Sequence, residues 1–202
     1  MNNSVENKIL AKMKQNRRGK IFFTDDFEQL GTYESCRKAL EHLVKRDEIM
    51  RVSRGIYTIP QVNEFIGKVT PPIDEIIRAI MKKDNANIVP TGSFAKNLLG
   101  LSTQVPMKIV YLTEGRPRKL KIGNTTVILK TTSTRTTAIK GKLSALAIQA
   151  LKSIGKDNVT NEEIEKIVNT LKNENPKHLE HDAKFAPVWI REILRTALTT
   201  DK

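Results

Sequence analysis

The sequence predicts an α+β chain on three observations. Apolar residues recur at helical offsets from Tyr33 to Arg46, and two short β-prone runs around Ser53-Arg54-Gly55 follow at once. The middle third mixes helical stripes with strand-like runs. The last third carries only helical patterning. Gly67 and Pro71-Pro72 interrupt the pattern near Gln61–Pro72, which divides the chain into domains over 1–62 and 63–202.

Val5, Ile9, Leu10 and Met13 mark a first helix. Phe22, Phe23, Phe27 and Leu30 suit a second, short helix capped by Thr24. Gly31 is a turn residue, and Thr32 is placed to cap a third helix. In that helix Cys36, Ala39, Leu40, Leu43 and Val44 share one face. Tyr33, Glu34, Arg37, Lys38, Glu41 and Lys45 fall off it. Asp47-Glu48 breaks the pattern. Ile49–Val52 and Ile56–Ile59 read as two strands joined through Ser53-Arg54-Gly55, where Gly55 supplies the positive φ of a tight hairpin. Pro60 ends the second strand.

Three helices and a ribbon in about sixty residues make a normal small domain. Their order is that of a winged helix-turn-helix, whose third helix fits the major groove of duplex DNA. Tyr33, Arg37 and Lys38, with Thr32 at the helix start, are the candidates for base contact. Arg51, Ser53 and Arg54 on the wing are placed over phosphates or in the minor groove. Arg17, Arg18 and Lys20, between the first two helices, are backbone-contact candidates. Glu34 and Glu41 dilute the charge of the third helix. RNA binding and protein docking stay open for a helix-plus-hairpin unit.

Charge points the same way. The 202 residues carry a formal charge of +13. Residues 1–62 contribute +4, residues 63–135 contribute +7 and residues 136–202 contribute +2. Such a balance favours polyanionic partners and a steep salt dependence. A membrane-surface role would want a long basic amphipathic helix, and the helical stripes read as core instead. The single cysteine, Cys36, excludes an intrachain disulfide and reads as a small buried hydrophobe. The N-terminal run lacks the apolar core of a signal peptide, and no apolar run reaches membrane-spanning length. The expected compartment is the cytoplasm.

In the second domain, Pro72 opens a helix through Ile73, Ile76, Ile77, Ile80 and Met81. A short helix covers Ser93–Leu99 and a strand Met107–Thr113. Leu120–Ile122 and Thr125–Thr132 form a hairpin through Gly123-Asn124. Thr131–Thr137 reads as an exposed strand end or loop. Three helices follow: Leu143–Ile154 closed by Gly155, one opened by the Thr160/Glu163 capping box, and one from Pro187-Val188-Trp189-Ile190 to Leu198.

Signals for catalysis are weak. His178-Leu179-Glu180-His181-Asp182 has metal-like residue types but no supporting histidine or cysteine, and a zinc site wants three or four ligands. It reads as a solvated helix face. Gly92-Ser93-Phe94-Ala95-Lys96 lacks the spacer and ending of a phosphate-binding loop. No catalytic residue, metal or cofactor is expected. Arg116-Pro117-Arg118-Lys119 is a stiff basic turn suited to phosphates, although a plain charged loop accounts for it equally.

Several segments together resemble a family. They are Arg54-Gly55-Ile56-Tyr57, Pro90-Thr91-Gly92, the run Asn97–Pro106 (NLLGLSTQVP), Tyr111-Leu112-Thr113, Gly115-Arg116-Pro117-Arg118 and Pro187–Arg191. In this arrangement the chain resembles the AbiEi-type antitoxins and related bacterial transcriptional regulators. The resemblance implies repression of its own operon through inverted repeats in the promoter. It also implies antagonism of a nucleotidyltransferase-like toxin in abortive infection or plasmid maintenance, by type IV logic without a stable toxin complex. It assigns DNA binding to the winged helix, with the basic Arg116–Lys121 stretch adding to it. The alternative is a module that docks directly on the toxin, with the winged helix as scaffold.

Overall fold

The computed structural model describes residues 4–104 and 106–199; Val105, part of the Asn97–Pro106 run, lies outside them. The fold is mixed α+β, with about half of the residues helical. The chain forms two compact units. One runs to Ile80 and includes Leu120–Asn124; the other holds Met81–Lys119 and the chain from Thr125 onward.

The first unit begins with α1 (Val5–Lys14), capped by Ser4, whose side chain accepts from Asn7 N–H. Phe22-Phe23 departs from the expected helix. It forms β1, paired antiparallel with β3 (Ile56–Thr58). This long-range pairing satisfies backbone groups that a helix would otherwise bond locally. A 3-10 helix, Thr24–Leu30, follows. Its start is held by Asp26, whose carboxylate accepts from Phe23 N–H at 2.7 Å. Thr24 is not the cap.

Helix α2 (Tyr33–Lys45) forms as the periodicity predicts, with Cys36, Ala39, Leu40 and Leu43 buried. The Thr32 hydroxyl accepts from Ser35 N–H at 3.2 Å. Asp47 ends the helix with a φ of +64°. Its N–H bonds Val44 O at 3.0 Å and that of Glu48 bonds Leu43 O at 3.0 Å, a Schellman arrangement. β2 (Met50–Ser53) pairs antiparallel with β3, and a register shift falls between Arg51 and Ser53. Gly55 turns the hairpin with φ +74°. The sheet order is β1–β3–β2. Its core is Ile9, Met13, Phe22, Phe27, Leu40, Leu43, Ile49 and Tyr57.

Glu6 ties α1 to the C-terminal end of α2. It lies 2.7 Å from His42 Nδ1 and accepts from Arg46 at 2.8 Å. These hydrogen bonds, that of His42 first, hold its carboxyl below the ordinary value of 4.5. A carboxyl depressed by folding contributes stability that is present above its unfolded value and is lost as pH falls through the folded one. In urea melts from neutral to acid pH, the stability gap between wild type and Glu6→Gln is therefore expected to shrink below the ordinary carboxylate value. A gap that stays constant would contradict the assignment.

Residues 61–72, expected as a boundary, hold a second ribbon: β4 (Gln61–Asn63) and β5 (Gly67–Val69). Asn63 Oδ1 accepts from Phe65 N–H and Ile66 N–H, which folds the tip. Helix α3 (Ile73–Asp84) follows and buries Ile76, Ile77 and Ile80.

In the second unit, β6 (Ile88–Pro90) pairs antiparallel with β7 (Lys108–Thr113), and β7 runs parallel to β9 (Thr125–Thr131). Strand β8 (Arg118–Ile122), of which Leu120–Ile122 is grouped with the first unit, precedes β9 through a turn at Gly123. Helix α4 (Gly92–Leu98) packs on α6 (Lys142–Ile154). A Cβ at Gly92 would collide with Ser153, so the close approach requires glycine there. Thr134–Thr137 forms a short helix, α5. Thr137 within it is buried and donates to Glu114 at 2.8 Å, so this threonine run is not simply an exposed loop. Helices α7 (Asn161–Leu171), α8 (Pro176–Ala183) and α9 (Val188–Thr199) complete the unit. Its core includes Ile148, Leu151, Ile167, Leu171, Ile190 and Leu194, with Trp189 packed against it.

The expected solvated face at His178–Asp182 is corrected by Asp182, which is fully buried. Its carboxylate accepts from Lys140 N–H at 2.8 Å, Gly141 N–H at 2.7 Å and the Ser144 hydroxyl, and lies 2.8 Å from His181 Nδ1. Glu174 accepts from Leu143 N–H at 2.7 Å. Two carboxylates from downstream segments thus accept from backbone N–H groups around the start of α6, whose own N-cap is Gly141.

Candidate nucleic-acid interface

Burial of one stripe of α2 leaves the others in solvent. Tyr33, Arg37, Glu41 and Val44 follow one another three or four residues apart, so they stack along one side of the helix. The β2–β3 hairpin faces that side. Together they bound a cleft of about 420 Å³. Arg51, Arg54, Gly55 and Tyr57 line it from the hairpin, and Thr24 from the 3-10 helix. Three arginines and one glutamate give it a cationic lining.

The cleft gathers four of the residues singled out from sequence: Tyr33, Arg37, Arg51 and Arg54. Tyr33 is 59% exposed. Arg51 and Arg54 are exposed, and neither has an ion pair among the described residues. Lys38 is exposed on α2 and likewise unpaired there. Thr32 is committed to its cap, and its hydroxyl also donates to Ser35 Oγ at 3.1 Å. Ser53 is half-buried at the end of β2.

Arg37 is not free. Its Nη2 donates to Glu34 Oε2 at 3.2 Å and its Nε to the same oxygen at 3.4 Å. This bond raises its already high pKa, so the guanidinium is always charged. Both groups are exposed, so solvent screens the pair and it is released at little cost.

The remaining candidates lie outside the cleft. The α1–β1 loop is pinned by Gly19 N–H to Ile59 O at 2.8 Å and by the Thr58 hydroxyl to Lys20 O at 2.8 Å. It holds Arg17 and Arg18 exposed, with Arg17 3.7 Å from Glu75. Lys20 lies over the Phe22 ring at 5.2 Å. In the second unit Arg116 and Lys119 are exposed, whereas Arg118 is half-buried in an ion pair with Asp84. That pair gives Arg118 a structural duty, and no phosphate is needed to explain its charge.

Sequence reasoning missed Glu41, Val44, Tyr57 and Thr24 as cleft-lining residues. The offsets of four from Tyr33 to Arg37 to Glu41 were the available signal. Among the described residues no group of three or more His, Cys, Asp or Glu could hold a metal ion. Nor is any described helix long and apolar enough to cross a membrane.

A family model matches residues 8–179, under the description "Family of unknown function (DUF6088)". The chain belongs to the DUF6088 family. No curated protein matches this DUF6088 chain significantly. Among solved structures, the Rv2827c protein of Mycobacterium tuberculosis matches with a TM-score of 0.45 and 12% identity. That match covers 95% of the present chain and 80% of the other.

Proposed function

We propose that the first unit is a winged helix-turn-helix that binds duplex DNA, and that the chain is a cytoplasmic transcriptional repressor without catalytic activity. The observation that carries this reading is the cationic cleft. It joins the exposed side of α2 to the β2–β3 hairpin and sets Arg37, Arg51 and Arg54 around one space. A helix presented in this way enters the major groove, and the hairpin then lies against the flanking backbone or minor groove. Tyr33, Arg37 and Lys38 meet bases. Arg51 and Arg54 meet phosphates, and Arg17, Arg18, Lys20, Arg116 and Lys119 add charge.

In this reading the biological role is that of an AbiEi-like antitoxin. The chain represses its own promoter through inverted repeats and antagonises a nucleotidyltransferase-like toxin without a stable complex. Co-expression with such a toxin encoded beside it should restore growth without co-purification.

Gel shifts on the upstream promoter test the DNA reading. Arg54→Ala should weaken binding to every sequence alike and flatten the salt dependence by about one unit, as expected for a single phosphate contact. An unchanged slope would remove Arg54 from the interface.

A second reading is favoured by the tip of the β4–β5 ribbon, where Phe65 is 93% and Ile66 74% exposed beside exposed Val62. Exposed apolar groups of this size suit a protein partner. If the chain docks directly on its toxin, the two proteins should co-purify, and Phe65→Ser should abolish that while DNA binding persists.

A further inference from the structure

Arg37 and Glu34 form one unit at the N-terminal end of α2. Both donors that Arg37 gives to Glu34, Nε–H and one Nη2–H, go to a single oxygen, Oε2. Among the described residues, Glu34 Oε1 and Arg37 Nη1 have no hydrogen-bond partner. Arg37 therefore keeps its end-on edge, Nη1 and the second Nη2–H, free while its side edge faces Glu34. Glu34 keeps one carboxylate oxygen free beside it. Side-chain exposures of 49% and 65% leave both accessible. Glu34 sits in the first turn of the helix, where its charge also complements the helix dipole.

In the major groove, guanine shows two acceptors, O6 and N7, and thymine shows an acceptor and a methyl group. Adenine pairs its donor with an acceptor. Cytosine alone shows a donor, N4–H₂, with no acceptor beside it. A carboxylate is repelled by the acceptors of guanine and thymine, meets one donor and one acceptor at adenine, and is matched best by cytosine. The free edge of Arg37 matches guanine.

We propose that Glu34 is a specificity-determining residue that reads cytosine, working with Arg37 on guanine at the same or the neighbouring base pair. This rests on the DNA-binding reading above. Glu34 does more than lower the charge of the helix: it occupies one edge of Arg37, leaves the guanine-reading edge open, and disfavours guanine and thymine at its own position.

The test is selection of preferred duplexes from a randomised pool by the full-length chain, followed by anisotropy titrations on single-base variants. Wild type should prefer cytosine at one position beside a guanine. Glu34→Gln should lose that preference by on the order of tenfold, with adenine gaining most, because a glutamine amide pairs with adenine N6 and N7. Glu28→Gln makes the same change of net charge elsewhere on the unit and should alter all duplexes alike. If Glu34→Gln, like Glu28→Gln, changes binding to every duplex by one common factor and keeps the cytosine preference, Glu34 is only a charge and the proposal fails. If wild type binds no duplex at all, the DNA reading itself falls.

Discussion

Replacing Asp182 with alanine is expected to destabilise the second unit by about 3 kcal/mol or more. The carboxylate is fully buried and accepts from two backbone N–H groups and one hydroxyl at the start of α6. Its removal leaves those donors inside the protein without partners, at roughly 1–3 kcal/mol for each group not rescued by water. It also removes the negative charge facing the positive end of the helix. Asp182→Asn keeps the shape but turns one acceptor into a donor, so an intermediate loss is expected. Trp189 is the single tryptophan and packs against this core. Urea unfolding followed by its fluorescence therefore reports on this unit. A midpoint unchanged in Asp182→Ala would show that the buried carboxylate does not hold α6.

Replacing Arg37 with alanine is expected to relax sequence specificity and to cost about 1–3 kcal/mol on the preferred duplex, the range for a bidentate arginine–guanine contact. Its effect on unrelated duplexes should be much smaller. The fold should be untouched, because Arg37 is exposed and its pair with Glu34 adds little to stability. Affinities for promoter and scrambled duplexes, measured at one salt concentration, give the discrimination directly. Wild-type discrimination by Arg37→Ala would remove the proposed reading head. Arg118→Ala should behave differently. Its pair with Asp84 ties it to its own unit, so it should alter folding and leave the salt dependence of binding as it is.

The legible parts of the fold were those written in local pattern. Thr32 and the stripe Cys36, Ala39, Leu40 and Leu43 define α2 within fourteen consecutive residues. The Thr160/Glu163 box opens α7 through contacts three residues apart. What stayed hidden depends on distance or on exposure. Phe22-Phe23 carries the residue types of a buried helix face, and only its partners Tyr57 and Ile56 make it a strand. Asp182 looks like an ordinary surface charge until Gly141, forty-one positions away, is brought to it. The β4–β5 ribbon buries too little for a period-two pattern, since Val62, Phe65 and Ile66 all face solvent.

The site divides along the same line. Arg37, Arg51 and Arg54 could be singled out because cations on a helix and a hairpin tip have few folding uses. Glu34 was counted only as a dilution of charge, because its bond to Arg37 and its free second oxygen are matters of rotamer.

The proposed contact sets duplex DNA against the face shared by α2 and the β2–β3 hairpin. Titrating isotope-labelled protein with its promoter duplex and following backbone amide signals tests it most directly. Shifts should concentrate at Tyr33, Glu34, Arg37, Lys38, Arg51, Arg54 and Gly55 and fade as salt is raised. Shifts confined to the β4–β5 tip or to the second unit, with α2 silent, would contradict it.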